Sequence, residues 1–213
     1  MVAKRKRKRK PGRPSKPIGR PKLLNIARAA FAEDGYAGTS LSIIAEAAGI
    51  RKASLYYHFE TKEALYFEVL ASALGDLSTL IGDALTSEGP YLGRFDHLNS
   101  VVVDYFGEHP DVARLLVREA IGDGDFLQGP GQVVAQMVLD ALAVFLEAGM
   151  KEGDFKKQPA KQLALSIVGM HLFFFASAGL STQFIGEDIF SPVILSERKV
   201  SLMDQVRSVC TKD

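Results

Sequence analysis

With 213 residues, 47% of them hydrophobic and 24% charged, the chain has the balance of an ordinary globular protein and enough length for one large domain or two small ones around a substantial core. Its net charge of +1 conceals an asymmetry: residues 1–22 hold eleven Lys or Arg and no acid, and the other 191 residues hold 15 bases against 25 acids. A basic arm on an acidic body points to a polyanionic partner for the arm, and the one cysteine, Cys210, excludes an internal disulfide and suits a reducing cytoplasm.

The arm, residues 1–21, lacks hydrophobic periodicity and is expected to be disordered when free. It reads poorly as a signal peptide, because residues 11–22 are mostly Pro, Gly and base where an apolar stretch would have to follow. Gly12-Arg13-Pro14 and Gly19-Arg20-Pro21 resemble the AT-hook peptide, which lies extended in a narrow A·T-rich minor groove. Proline holds such a chain extended, glycine lets it sit deep, and arginine meets the negative potential of the groove. Arg13, Arg20 and Lys22 are the candidate DNA contacts of this region. A polybasic tail that only neutralises phosphates, and a tail with no role on DNA, remain alternatives.

Residues 22–68 read as a three-helix head. Leu24, Ala27 and Phe31 stripe a first helix from about Lys22 to Asp34, with Tyr36 packed under the corner that follows. A second helix runs from about Ser40 to Ala48, capped by Thr39 or Ser40, and Gly49 turns the chain into a third from about Lys52 to His58. Two short helices about a glycine corner make a helix-turn-helix, whose second helix is shaped to enter a major groove. Thr61 caps a long fourth helix that reaches the Ser87-Glu88-Gly89-Pro90 break.

The body, residues 69–213, continues as helix without a convincing strand. Helices are expected over residues 95–108, 111–121, 130–150, 159–180 and 195–209, giving an all-α chain of about nine. The run 163–186 has no charged residue and is long enough to span a bilayer, but its serines, glycines and His171 suit a buried helix, and no membrane partner is expected.

The residues from Leu23 to Leu70 resemble the DNA-binding domain of the tetracycline-repressor (TetR) family of bacterial transcription regulators. Gly35-Tyr36, Thr39-Ser40, Ala48-Gly49 and above all Leu55-Tyr56-Tyr57-His58-Phe59 followed by Lys62-Glu63 carry the likeness. The resemblance implies that Lys52, Ala53 and Ser54 lie at base edges, that Tyr56, Tyr57, His58 and Lys62 hold phosphates or the groove wall, and that Ser40 and Ser42 reach the backbone; Arg51, just ahead of them, is a further candidate DNA contact. The competing reading packs these aromatics inside the head, as expected for Leu55 and Phe59. It further implies a homodimer whose last two long helices form the interface, and a small, mainly hydrophobic effector in the body. Phe106, Met137, Met170, His171 and Phe174 are the candidate effector contacts, each of which could equally be ordinary core.

The four histidines are scattered without a ligand partner one helical turn away, so no metal or other cofactor is expected. Asp123-Gly124-Asp125 mimics the opening of a calcium loop whose later ligands are missing. No catalytic constellation is present in the sequence, so the expected function is a cytoplasmic, ligand-responsive transcription regulator, a repressor, and not an enzyme. The rival is an architectural protein of the nucleoid type in which the arm dominates and binding follows A·T content.

Overall fold

A computed structural model describes residues 18–122 and 124–211. The described residues form ten helices and no strand. Three make the head: α1 (Arg20–Gly38), α2 (Leu41–Ala47) and α3 (Lys52–His58). The long α4 (Lys62–Thr86) leaves the head and enters the body, which is completed by α5 (Tyr91–Glu108), α6 (Pro110–Ile121), α7 (Gln132–Glu152), α8 (Ala160–Ala176), α9 (Ala178–Ile185) and α10 (Pro192–Cys210).

Local chemistry explains several helix starts. The hydroxyls of Ser40, Thr61 and Ser191 each accept from an amide of the first turn, at 3.2, 3.0 and 3.3 Å. Pro110 and Pro192 occupy first-turn positions where a missing N–H costs nothing. Ser40, not Thr39, is the cap of α2. The Thr39 hydroxyl points the other way, donating to the carbonyls of Ala30 and Gly35.

Several boundaries depart from expectation. Helix α1 begins at Arg20, two residues earlier than expected, so Gly19-Arg20-Pro21 is a helix start and belongs to the head. It also continues past Asp34 through a kink at Gly35, whose φ of 73° and ψ of 174° few residues but glycine adopt. Helix α5 starts at Tyr91, because Pro90 sits extended immediately before it. Helix α10 starts at Pro192, ahead of the expected Leu195, under its serine cap.

The largest difference is the expected single helix over 159–180. It breaks at Ser177 into α8 and α9, which meet at 78°. Serine hydroxyls stabilise the break: Ser177 donates to the Phe173 carbonyl at 2.6 Å and Ser181 to the Phe174 carbonyl at 3.0 Å. This bend interrupts the uncharged run that sequence alone allowed as a membrane span. Helices α4 and α7 do have the length and apolarity to cross a bilayer. In this fold they pack against each other and against α5 and α8.

Two cores are joined through α4 and α6. In the head, Leu23, Ala27, Phe31, Ile44, Leu55, Phe59 and Leu65 are buried together with Leu115 of α6 and Phe126 of the loop after it. In the body, Phe95, Phe106, Phe155 and Phe175 are fully buried among aliphatic neighbours. The head is therefore not sealed off from the body, since body residues complete its core.

Candidate nucleic-acid interface and effector cavity

Helix α3 has seven residues, and only Leu55 among them is buried. Leu55 and Phe59 anchor it to the head, as expected. Arg51, Lys52, Ala53, Ser54, Tyr56 and Tyr57 are left exposed, with Tyr57 88% accessible and His58 half-buried. The Lys52 ammonium lies 5.8 Å from the Tyr56 ring, one turn away, and the Tyr57 and His58 rings meet edge-on. Ser40 and Ser42 are exposed at the start of α2, and Lys22 is exposed on α1. Gly49, with φ of 66°, makes the corner that presents α3 to solvent.

Two candidate contacts are placed differently. Arg20 donates to both carboxylate oxygens of Glu68 on α4, to the His58 carbonyl at 2.9 Å, and stacks over Phe59 at 4.4 Å. That bonding makes it a clamp between α1, α3 and α4, which a free arm inserted in a minor groove would not have. Lys62 donates to the carbonyls of Tyr36 and Thr39 at 2.6 and 2.9 Å. Its ammonium closes the corner after α1, so its charge is already engaged within the head. Arg13 and the first Gly-Arg-Pro motif lie outside the described residues, as does Asp123 of the calcium-like loop. No group of three or more His, Cys, Asp or Glu suited to a metal occurs among the described residues.

In the body, α4 to α8 line a half-open cavity of about 240 Å³. Leu77, Val102, Leu142 and Val168 typify its lining, and His171 is the one polar side chain on it. Of the five expected effector contacts, Phe106 and His171 line this cavity. Met137 does not: it is 64% exposed, because α7 turns Ala135, Val138, Leu139 and Leu142 inward and carries Met137 on its other side. Met170 and Phe174 are also off the lining; the Arg198 guanidinium stacks over Phe174 at 4.4 Å and donates to the Met170 carbonyl at 2.7 Å.

His171 is held by a residue the sequence reading missed. Its Nε2 is 2.9 Å from Asn99 Oδ1, and Asn99 Nδ2 donates to the Phe95 carbonyl at 2.7 Å. Burial, helped by the Arg198 charge, pushes the imidazole down to about 3, so it is neutral. The available signal was an amide on the inward stripe of α5 between Phe95 and Val102. Glu119 gives the same signal on α6 between Leu115 and Gly122. Buried, it accepts from the Tyr66 hydroxyl at 2.7 Å and from the amides of Phe126 and Leu127.

The cavity and the head are mechanically connected. Leu74, Leu77 and Ile81 line the cavity from α4, whose earlier residues fill the head core. Leu116 and Ala120 line it from α6, while Arg114 of the same helix pairs with Glu33 of α1 at 2.7 Å. Arg28 of α1 donates to Asp111 of α6 at 2.8 Å.

Residues 23–69 match the family described as bacterial regulatory proteins, tetR family, and residues 94–206 match the tetracyclin repressor-like C-terminal domain. The HTH-type transcriptional repressor KstR2 of Rhodococcus jostii (strain RHA1) is 48% identical over 58 residues, which cover 27% of this chain and 28% of that protein. The similarity to this curated relative thus spans less than a third of its length. Among solved structures, the ketosteroid transcriptional regulator KstR2 of Mycobacterium tuberculosis superposes with a TM-score of 0.73 at 21% identity, covering 91% of this chain and 95% of that one. AibR, solved in complex with isovaleryl coenzyme A and operator DNA, superposes at 0.71 with 16% identity, covering 87% of this chain and 96% of that one. At these identities the two structures establish the shared fold. With the C-terminal match alone spanning more than half of its length, and the N-terminal match ahead of it, the chain belongs to the TetR family of bacterial regulatory proteins.

Proposed function

We propose that the protein is a cytoplasmic, homodimeric transcription repressor that binds a pseudo-palindromic operator through α3 and is released by a small apolar effector in the body cavity. The observation that carries this reading is a seven-residue helix with one buried side chain, mounted on the same α4 and α6 that wall the cavity. Arg51, Lys52, Ala53 and Ser54 are taken as base-edge contacts, and Tyr56, Tyr57, His58, Ser40, Ser42 and Lys22 as groove-wall and phosphate contacts. No catalytic role is assigned.

Dimerisation is supported by exposed apolar side chains on α8 and α10. Phe173 is 67% and Val200 57% accessible, with Leu165 and Val193 also exposed on these two helices. Two heads related by a two-fold axis would read successive major grooves, with their separation set by the body. An effector that favours a body holding α4 and α6 at another angle would respace the heads and lower operator affinity. AibR, solved with both a small molecule and operator DNA, is a precedent in this fold. The basic arm would add affinity through phosphates or an A·T-rich minor groove, with Arg13 and not Arg20 as its reader.

Selection of bound sequences from random duplexes tests this, using the full chain and residues 18–213. The shorter form keeps Ile18, which packs on the head core, and the Arg20 clamp. Enrichment of one palindrome by both forms, with weaker and less salt-dependent binding by the shorter, is the expected result. Enrichment of A·T-rich DNA without symmetry by the full chain, and of nothing by the shorter, would overturn it.

A further inference from the structure

We infer that the cavity takes, tail first, the hydrocarbon end of a molecule that is polar at one end only, such as a medium-chain alcohol or acid, and leaves the polar group in solvent beside Ala120. This rests on the reading of that cavity as the effector site and specifies the class of the effector and its direction.

The wall offers a ligand nothing to bond to. Apart from His171, every side chain on it is aliphatic or phenylalanine. The Nε2 of His171 is engaged by Asn99 at 2.9 Å, and its Nδ1 is buried out of reach of solvent. A hydroxyl, amine or carboxylate drawn inside would give up its water and gain no partner. Water itself gains no more, since an ordered buried water makes two to four hydrogen bonds, so the space favours hydrocarbon.

The cavity has a closed end and an open one. Leu98, Val102 and Phe106 of α5 and Leu77 of α4 are buried and close it. At the other end Ala120 of α6 is exposed, and Leu127 of the following loop and Ala135 of α7 are half-buried. Leu165 of α8 also lines it and is exposed, but it belongs to the face proposed for the dimer, where a partner would lie. Solvent therefore meets the cavity between α6 and α7, and there a bound molecule can keep a polar group hydrated. The opening lies against the loop whose Phe126, next to Leu127, completes the head core, so a bound chain touches a segment shared with the head. Size follows from volume: an apolar cavity of roughly 150 Å³ holds one benzene ring, so about 240 Å³ holds about ten carbon atoms.

The test is calorimetric titration of the full chain with 1-octanol, 1-methoxyoctane and nonanoate, which share one apolar tail, and with 1,8-octanediol, which has no apolar end. The first three should bind within about fivefold of one another, and the diol roughly tenfold or more weaker. From hexanol to dodecanol, each added carbon should tighten binding about fourfold until the cavity fills near ten carbons. Val138→Trp, which fills the cavity from α7, should weaken all probes. In the native chain, the Val102 methyl signals should respond alike to 1-octanol and 1-methoxyoctane, and the Ala120 methyl signal should differ between them. A diol that binds as tightly as 1-octanol, strong selection among the three head groups, or a Val102 signal that follows the head group would overturn the tail-first inference and leave the cavity as an effector site. Affinity that climbs steadily to dodecanol would overturn the size. Absence of binding by every probe, or binding unaffected by Val138→Trp, would overturn the cavity reading as well.

Discussion

The Lys62 ammonium closes the corner at Tyr36: it donates to the Tyr36 carbonyl at 2.6 Å and lies 4.2 Å from the centroid of the Tyr36 ring. With its second bond to Thr39, it joins the start of α4 to the segment between α1 and α2. Lys62→Met keeps the stem and removes these bonds. It should destabilise the protein by about 1.5–3 kcal/mol, measured as a lower urea midpoint with an unchanged slope. A variant as stable as the native chain but weaker on DNA would return Lys62 to the phosphate role implied by family resemblance.

Tyr57 and Lys52 should separate affinity from specificity. Tyr57 is almost wholly exposed, so Tyr57→Ala should leave the unfolding midpoint unchanged and weaken binding to every duplex alike. Lys52→Ala should cost about 1–3 kcal/mol on the preferred operator and relax the preference at one base step. Competition binding against single-position operator variants measures both. Unchanged binding in both variants would remove α3 from the interface.

Gly35→Ala tests the kink in α1. At φ 73° and ψ 174° an alanine carries steric strain of about 1–3 kcal/mol. The new Cβ would also come within 2.9 Å of the Arg118 guanidinium, a flexible group that can yield. The expected result is a lower urea midpoint for Gly35→Ala, with Gly38→Ala, in the same helix without positive φ, serving as the comparison.

Acid should erode the stability that His171 contributes. Its folded pKa of about 3 lies below its ordinary 6.5, because burial and Arg198 disfavour the charged ring. Between these values the unfolded chain takes up a proton that the folded chain refuses. The contribution is therefore intact above pH 6.5 and falls as pH drops toward 3, by at most about 1.4 kcal/mol per pH unit. Comparing urea unfolding of the native chain and His171→Gln at pH 7 and pH 5 isolates this group. The stability advantage of the native chain should shrink at pH 5, and parallel losses would contradict the assignment.

Charge on the exposed faces of α8 and α10 should disrupt the proposed dimer. Phe173→Asp combined with Val200→Asp should sediment as a monomer with a native helical spectrum. Loss of linked binding should weaken operator affinity by a factor on the order of 10²–10⁴. A dimer that persists would move the interface elsewhere.

Much of the head was legible along the chain because its signals are local. Hydroxyl caps, the Gly49 corner and the apolar spacing each act within about one turn, and α2, α3 and α4 fall within one residue of their expected bounds. The break at Ser177 was less legible, since an uncharged apolar run reads the same whether it is one helix or two. Its serines could have signalled it only if their bonds to Phe173 and Phe174 had been foreseen.

The sequence by itself determined an all-α chain with a helix-turn-helix head, an exposed polar α3 and a helical body. Tertiary structure alone decided which apolar residues surround the cavity, and that Arg20 and Lys62 spend their charges inside the head. The reason is physical. Helix ends and periodicity depend on neighbours in the chain, but a cavity is the space left among five packed helices. Phe106 and His171 reach that space while Met137, as apolar as Phe106, faces away from it, because the rotation of each helix is set by contacts distant in sequence.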